Sequence, residues 1–299
     1  MRVLITGING FTGRHLAAEL ASADYEVWGI GSDDEADAAR YRRADLGDAD
    51  RLYEIAAEAR PEAVVHLAGI AFVGHGAPRD FYEVNLIGTR NLLSALAALP
   101  TPPTRILLAS SANVYGNAMG GMLTESTPAN PANDYAVSKL AMEYMARLWM
   151  DKLPIITARP FNYTGPGQAL SFVIPKLVDH FARRAGSVDL GNLKVEREFN
   201  DVRMVCKAYR ALLERGVAGE VYNVCSGRPY SLEYVIGALA ELSGHQLEVR
   251  VNPAFVRANE VHRLCGDPSK LIDTVGELPQ IPLHATLHWM LRQAASSPC

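Results

Sequence analysis

Short, almost continuously apolar runs alternate with longer amphipathic segments through the first half of the chain. Such runs are typical of parallel strands that helices cover on both faces, so the alternation predicts an α/β fold with a doubly wound parallel sheet. The predicted strands are Val3–Thr6, Glu26–Ile30, Ala63–Leu67, Arg105–Ser110 and Pro154–Arg159. The predicted helices are Thr12–Ser22, Asp50–Ala59, Phe81–Leu99 and Asp134–Met150.

The second half of the chain has shorter elements, interrupted by Gly, Pro and polar residues. Residues 220–225 still have the pattern of a buried strand, and we expect this strand to return to the first sheet. Two interleaved lobes are therefore predicted. Residues 1–165 would hold the sheet and the catalytic residues, and residues 166–299 would form a smaller C-terminal lobe that binds substrate.

The predicted helices at 81–99 and 134–150 are apolar on more than one face, whereas a surface helix needs a single apolar stripe. One interpretation is that the sheet and neighbouring helices cover both faces. The interpretation we favour is a homodimer formed through this pair of helices.

Composition narrows the class of protein. The 299 residues are 48% hydrophobic, with 29 basic and 33 acidic side chains and a net charge of −4. These values exclude collagen-like, disordered and disulfide-scaffold chains, and without a Lys/Arg run neither nucleic acid nor a membrane surface is expected as partner. Apolar stretches are too short for a membrane span or a signal peptide. The four cysteines lie far apart, which predicts reduced thiols in a cytoplasmic protein without a metal site.

Three glycines follow the first predicted strand and open the first helix, in the segment T-G-I-N-G-F-T-G. Gly7 suits a tight turn, Gly10 allows close approach to a pyrophosphate, and Gly13 allows the helix to pack tightly on the strand. The helix N-terminus would supply N–H groups to the diphosphate. The segment therefore predicts a dinucleotide site in a Rossmann-type sheet, with Asn9 and Phe11 in the same loop.

The end of the second strand bears on the choice of cofactor. An NAD-specific site usually has a carboxylate there, whereas Gly31 and Ser32 occupy the place and Asp33 and Asp34 follow. A 2′-phosphate would meet no acid at Gly31, and Ser32 could donate a hydrogen bond to it, although we identify no arginine beside it. We predict NADPH or NADH, with a slight preference for NADPH.

Tyr135 and Lys139 are one helical turn apart and so share a face of the predicted helix. A free tyrosine has a pKa of about 10, and a nearby ammonium should lower that pKa toward a useful range. Ser111, just after the fifth strand, can donate a hydrogen bond to a substrate carbonyl oxygen. These three residues are the predicted catalytic group.

Together, these motifs resemble the extended branch of the short-chain dehydrogenase/reductase superfamily. The resemblance implies that Ser111 polarises a carbonyl, that Tyr135 transfers a proton, and that Lys139 tunes Tyr135 and holds the nicotinamide ribose. It further implies cofactor-site roles for the adenine-contacting pair Asp45 and Leu46, for Leu67, Ala68 and Gly69 after the fourth strand, and for the supporting amide of Asn85.

Ala112 and Asn113 stand where the sugar-nucleotide 4,6-dehydratases of this branch carry acidic residues. Neither side chain transfers a proton, so dehydration is disfavoured. Ketone reduction or 4-epimerisation needs only Ser111, Tyr135, Lys139 and the nicotinamide.

Three blocks of the second half resemble substrate-binding segments of nucleotide-sugar enzymes. They imply a nucleotide-diphosphate sugar as partner, held in part by arginine forks that suit a diphosphate. The implied substrate residues, besides Ser111, are Asn162, Asn192, Arg197, Arg257 and Glu260.

Over nearly the whole chain, the likeness is to members that reduce the C4 ketone of GDP-4-keto-6-deoxy-D-mannose to GDP-D-rhamnose. Glu198 and Met204 depart from the family pattern, which usually has Asp at both positions, and we expect them to affect structure more than chemistry. Two alternatives stay open: a nucleotide-sugar 4-epimerase with tightly bound NAD, and a catalytically silent dinucleotide-sensing protein. The residues alone determine neither the nucleotide base nor the C4 configuration of the product.

Overall fold

The computed structural model describes residues 1–33, 39–71, 77–117, 121–252 and 262–296. The elements, in chain order, are β1 (Arg2–Thr6), α1 (Phe11–Ser22), β2 (Glu26–Gly31), β3 (Tyr41–Arg43), α2 (Ala49–Ala59), β4 (Ala63–His66), α3 (Pro78–Tyr82), a π-helical turn (Glu83–Gly88), α4 (Thr89–Ala97), β5 (Arg105–Ala109), a 3₁₀ turn (Ala112–Tyr115), α5 (Asp134–Arg147), β6 (Ile155–Pro160), β7 (Tyr163–Thr164), α6 (Val173–Ala182), β8 (Ser187–Leu190), β9 (Glu196–Glu198), β10 (Asn200–Asp201), α7 (Val202–Arg215), β11 (Val221–Val224), β12 (Pro229–Ser231), α8 (Leu232–Ser243), β13 (Glu248–Val251), β14 (Arg263–Leu264), α9 (Ser269–Val275) and α10 (Leu283–Ser296).

A seven-stranded sheet in the order β11-β6-β5-β4-β1-β2-β3 forms the centre of the molecule, and every neighbouring pair in it is parallel. The doubly wound α/β fold predicted from the sequence is therefore confirmed. The strand order reverses between β1 and β4, and in such sheets ligands bind at the carboxyl ends of the strands beside this reversal.

Helices cover both faces of the sheet, which explains the continuous apolar runs of its strands. In β1, Val3 and Ile5 pack with α1 and α7 on one face, while Leu4 packs with α2, α4 and α5 on the other. Both neighbours of a buried residue are thus buried too, because successive side chains of a strand point to opposite faces.

The chain returns to this sheet late in its course. β11 lies beside β6, with Val221 opposite Thr157, and α7 and α9 pack on the same face as α1. The segment after residue 165 therefore contributes to both parts of the molecule, and the boundary placed there stays a prediction.

A second core lies beside the sheet. Helices α6, α8 and α10 pack with the strand pair β8–β13, around buried residues such as Leu177, Leu239 and Leu287. Glu198, where the family usually has Asp, is buried, and its carboxylate accepts the N–H groups of Ser226 and Gly266 at 2.7 Å each. These bonds tie β9 to the segments after β11 and β14.

The helix predicted over 81–99 is divided into α3, the π-helical turn and α4. Within this turn Gly88 lies against Leu46, since a Cβ on Gly88 would be 2.7 Å from the Cβ of Leu46. Close packing of this kind is not visible in a helical periodicity. In the described part of the chain, no helix has both the length and the apolar character that crossing a membrane requires.

Candidate active site

A cleft of about 400 Å³ lies at the carboxyl ends of the central strands. The glycine loop, α5 and the segment that follows β6 surround it. Its lining consists of Gly7, Gly10, Phe11, Thr12, Gly13, Leu67, Gly69, Ile70, Ala71, Ala109, Ser110, Ser111, Asn113, Tyr135, Lys139, Pro160, Phe161, Asn162, Tyr163, Gln168, Ala169 and Phe172.

The glycine loop has the shape that a dinucleotide diphosphate requires. Gly7 has φ +72°, and a Cβ there would be 2.8 Å from the backbone nitrogen of Ala68. A Cβ on Gly13 would be 2.2 Å from the carbonyl oxygen of Gly7, so α1 packs directly on the turn. Gly10, the N-cap of α1, has no side chain to occupy the first N–H groups of the helix. Residues 10–13 line the cleft, and the free N–H groups at a helix start fit an anion.

The carboxyl ends of β2 and β3 bring together an arginine and a glycine that sequence reasoning did not connect. In the parallel register of β2 and β3, Gly31 pairs with Arg43. An arginine therefore stands beside Gly31, contrary to the expectation from the sequence, because strand pairing joins positions that are distant in sequence. Asn9 lies at the same corner, with its Nδ2 3.5 Å from a carboxylate oxygen of Asp33. Ser32 is exposed there, and Asp34 lies outside the described residues.

The predicted adenine-contacting pair lies at the end of β3. The exposed Asp45 accepts the N–H of Gly47 at 2.7 Å through its carboxylate, whereas Leu46 is buried in the core. Neither residue lines the cleft, so contact with adenine stays a prediction.

The predicted catalytic residues come together in the cleft. The side chain of Asn133 accepts the N–H of Ala136 and so starts α5 immediately before Tyr135, which places Tyr135 and Lys139 on the face toward the cleft. Ser111 follows β5 and lines the same cleft as Tyr135.

Burial controls the protonation of this group. It raises the pKa of Tyr135, with the hydrogen bond to Ser111 acting in the opposite direction. This is opposite to the direction expected from Lys139 alone, whose Nζ donates to the carbonyl oxygen of Ala109 at 2.9 Å. Burial lowers the pKa of Lys139 to about 8, and the carboxylate of Glu143 opposes that shift.

Asn85 supports the cleft from behind. Its Oδ1 accepts the N–H of Ile70 at 2.9 Å, and its Nδ2 donates to the hydroxyl of Ser138 at 3.1 Å. A Cβ on Gly69 would be 2.7 Å from Asn85 Oδ1 and 3.4 Å from Lys139 Nζ. The amide thus joins the segment after β4 to α5, and its role in a cofactor site stays a prediction.

A buried ion pair behind α5 was not anticipated from the sequence. Arg159 of β6 donates two hydrogen bonds to Glu143, at 2.9 and 2.6 Å, and both side chains are buried. Glu143 also accepts the hydroxyl hydrogen of Ser110, and Arg159 donates to the hydroxyl of Tyr115 at 2.9 Å. The sequence did contain a signal for this pair, because Glu143 and Arg159 are charged residues within two otherwise largely apolar segments.

Of the predicted substrate residues in the second half, Asn162 lines the cleft. Asn192 accepts the N–H of Lys194, and Arg197 donates to the carbonyl of Glu196; neither residue lines the cleft. Arg257 and Glu260 lie outside the described residues. Their roles stay predictions.

Sequence reasoning missed several residues that line the cleft after β6. Tyr163 is held at the glycine loop, with its hydroxyl 2.7 Å from that of Thr12, and Gln168 and Phe172 complete this wall. Asn113 lines the cleft while Ala112 is buried, so no carboxylate stands next to Ser111.

A dinucleotide-binding glycine loop, the Ser111–Tyr135–Lys139 group and a seven-stranded parallel sheet define the class of the extended short-chain dehydrogenases/reductases. Within this class, the chain belongs to the family described as GDP-mannose 4,6 dehydratase, which matches residues 4–290.

Two relatives span nearly the whole chain. The GDP-6-deoxy-D-mannose reductase of Pseudomonas aeruginosa is 38% identical over 97% of this chain and 96% of that protein. The GDP-6-deoxy-D-talose 4-dehydrogenase of Aggregatibacter actinomycetemcomitans is 34% identical, over 92% of each chain.

Two solved structures extend the comparison. RMD from Pseudomonas aeruginosa, complexed with NADPH, has a TM-score of 0.88 and 36% identity over 99% of both chains. A structure from Burkholderia cenocepacia J2315, assigned provisionally to an epimerase, has a TM-score of 0.93 and 50% identity over 99% of this chain and 98% of that one.

Replacing Arg159 with Leu should lower the free energy of unfolding by about 3–5 kcal/mol, because Glu143 would then be a buried carboxylate without its cation. Urea unfolding followed by circular dichroism measures the change. The matched control is Arg51→Ala, which removes an exposed ion pair with Glu54 and should leave stability unchanged. Equal stabilities for the two variants would show that the buried pair contributes little.

Proposed function

We propose that this protein reduces the C4 ketone of GDP-4-keto-6-deoxy-D-mannose with NADPH or NADH to give GDP-D-rhamnose, also called GDP-6-deoxy-D-mannose. One observation carries the proposal: one cleft combines a glycine loop without a side-chain cap with Ser111, Tyr135 and Lys139, and the described residues that line this cleft include no carboxylate. The likeness to the Pseudomonas aeruginosa reductase over nearly the whole chain supports this substrate class.

The residues would divide the chemistry as follows. When bound, the nicotinamide supplies the hydride that the ketone carbon accepts. Ser111 donates a hydrogen bond to the ketone oxygen, and Tyr135 protonates that oxygen as negative charge develops. A raised pKa keeps Tyr135 in its phenol form, which is the form a proton donor needs. Lys139 remains largely protonated at neutral pH and stabilises the phenolate that proton transfer leaves behind.

Dehydration of the same sugar class needs further acid–base groups. Ala112 and Asn113 supply none next to Ser111, which favours reduction over elimination. The two relatives differ in the sugar named, mannose or talose, and these 6-deoxy sugars differ only in C4 configuration. The face of the ketone that receives the hydride thus decides which of the two sugars is formed.

The decisive experiment supplies GDP-mannose, a 4,6-dehydratase, NADPH and this protein, and identifies the product sugar by NMR. GDP-D-rhamnose, with NADPH consumed in equal amount, is the expected product. GDP-6-deoxy-D-talose would overturn the stereochemical part of the proposal. Protein that purifies with NAD and interconverts C4 epimers without net oxidation of NADPH would instead be an epimerase.

Tyr135→Phe should reduce keto-sugar-dependent NADPH oxidation about a hundredfold or more, because the proton donor is lost. NADPH binding, measured by quenching of tryptophan fluorescence, should change little. Tyr144→Phe is the control, since Tyr144 lies on the same helix but is 57% exposed. Full activity in Tyr135→Phe would contradict the assigned role.

We further propose that NADPH is the preferred reductant and that Arg43 contributes to this preference. Side chains two residues apart share a face of a strand, so Arg43 lies on the face where the Tyr41 hydroxyl is 2.8 Å from the position of a Cβ on Gly31. Asn9 of the glycine loop lies on this face as well. A guanidinium beside Gly31 and Ser32 would bind a 2′-phosphate through charge-assisted hydrogen bonds.

Arg43→Ala should weaken binding of NADPH about tenfold and leave that of NADH nearly unchanged, since only NADPH has the 2′-phosphate. Titration calorimetry with both cofactors measures the difference. Arg42→Ala is a matched control from the opposite face of the strand, where Arg42 is bonded to Glu58. Equal effects of Arg43→Ala on the two cofactors would rule out the role.

We also propose a homodimer through the helical segments 81–99 and 134–150. Val137, Tyr144 and Leu148 form an exposed apolar row along α5 and its C-cap, and Ile87 is exposed on the neighbouring π-helical turn. Leu148 is 81% exposed, which is unusual for a large apolar side chain. The cytoplasm is proposed as the compartment because Cys206, Cys225 and Cys265 are free thiols.

Leu148→Glu should convert the dimer to a monomer at micromolar concentration, because a carboxylate would be buried in an apolar interface. Light scattering coupled to gel filtration should then give 32.5 kDa instead of twice that mass. Val217→Glu, at an exposed position outside α5, should remain dimeric. A wild-type monomer would refute the proposed interface.

A further inference from the structure

His66 is a buried titratable side chain that the proposed chemistry does not use. It ends β4 and is 1% exposed. Its Nδ1 lies 2.7 Å from the hydroxyl of Thr6, and its Nε2 lies 2.8 Å from the hydroxyl of Thr89. Thr6 ends β1 directly before the glycine loop, and Thr89 begins α4 directly after the π-helical turn. The imidazole therefore bridges the strand before the glycine loop and the start of α4, which directly follows the π-helical turn that bears Asn85.

The other partners of the two threonine hydroxyls determine which group donates in each hydrogen bond to His66. Thr89 donates its hydroxyl hydrogen to the carbonyl oxygen of Asn85 at 2.7 Å, so it must accept from Nε2–H of His66. Nδ1 is then an acceptor, and it receives the hydroxyl hydrogen of Thr6. Thr6 in turn accepts the N–H of Ala68 at 3.3 Å. Of the two neutral tautomers, only the Nε2–H form satisfies all four hydrogen bonds.

The surroundings keep the imidazole neutral. Burial, and to a smaller extent the ammonium of Lys139, lower the pKa of His66 to about 3. A protonated ring would have two donors and no acceptor for Thr6, and it would repel Lys139. The bridge therefore persists over the pH range in which proteins usually work.

Hydrogen bonds from Asn85 extend this network to α5. Asn85 holds Ile70 by both polar atoms of its amide, and its Nδ2 also donates to Ser138. Ser138 lies between Tyr135 and Lys139 and donates to the carbonyl oxygen of Tyr135 at 2.8 Å. A displacement of Asn85 would thus shift both Ile70 in the lining of the cleft and α5, the helix that carries Tyr135.

We propose that His66 is a positioning residue, whose neutral imidazole fixes the Asn85 clamp relative to the cofactor loop and so aligns Tyr135 and Lys139 with the bound cofactor. The proposal rests on the proposed reduction for its kinetic consequence. Its structural content, one tautomer and one chain of hydrogen bonds, does not depend on the substrate.

The sharpest test replaces Thr89. Valine keeps the branched shape of threonine but lacks the hydroxyl, whereas serine keeps the hydroxyl but lacks the methyl group. Thr89→Val leaves Nε2–H without an acceptor and should lower kcat about tenfold or more, while NADPH affinity stays within about threefold. Thr89→Ser keeps the hydroxyl and should retain kcat within about twofold. With NADPH deuterated at the transferred hydrogen, the isotope effect on kcat should rise in Thr89→Val only, as misalignment slows hydride transfer.

A second measurement reads the bridge without turnover. Long-range ¹H–¹⁵N spectra of the full-length protein, with His66 assigned by its loss in His66→Gln, should show the neutral Nε2–H tautomer from about pH 8 to about pH 5. An Nδ1–H tautomer or a charged ring in this range would overturn the proposal. The Ile70 amide should exchange faster in Thr89→Val than in wild type or Thr89→Ser.

The two hypotheses fail in different ways. If the proposed reduction is wrong, wild-type protein lacks keto-sugar-dependent turnover, yet the tautomer and the Ile70 exchange contrast remain and support the bridge. If the positioning role is wrong, wild-type protein turns over and Thr89→Val matches Thr89→Ser in both kcat and isotope effect.

Discussion

The buried ion pair between Glu143 and Arg159 is the interaction on which the geometry of the cleft depends. It joins α5 to β6, and through Ser110 it also holds the end of β5, where Ser111 follows. Tyr115 extends the network to Asn223 of β11 by a hydrogen bond of 2.7 Å. Three strand ends and α5 are thereby fixed relative to one another. Removing either charge leaves the other one buried and unpaired in surroundings that solvate it poorly. Loss of a single partner is therefore strongly destabilising.

Burial also determines the direction in which the pKa values of the neighbouring Tyr135 and Lys139 shift. Burial raises the pKa of Tyr135 and lowers that of Lys139, so each group moves toward its uncharged form. A phenol that stays protonated can deliver its proton to an oxygen that becomes negative, and a nearby ammonium stabilises the phenolate that results. Glu143 opposes the shift of Lys139, so the ion pair contributes to protonation as well as to geometry.

The cofactor loop and the acid–base group lie on different elements and must still meet within one cleft. Backbone contact achieves part of this, since Gly7 lies directly against Ala68 in the segment after β4. Side chains achieve the rest, with Asn85 joining that segment to α5 and Tyr163 joining the wall after β6 to Thr12 of α1. The cleft is thus held by polar contacts between strand ends, where the backbone leaves the regular hydrogen bonding of the sheet.

The amino-acid sequence by itself determined the strand–helix alternation, the glycine loop and the alignment of Tyr135 with Lys139, because each is a local pattern whose period or spacing implies its geometry. Tertiary structure alone decided that Arg43 lies beside Gly31, that Arg159 pairs with Glu143, and that Asn85 reaches Ile70 from a π-helical turn. Strand register and packing set these contacts between separate elements, and no local periodicity encodes them. The direction in which the pKa of Tyr135 moves has the same origin, since burial in the folded protein raises it.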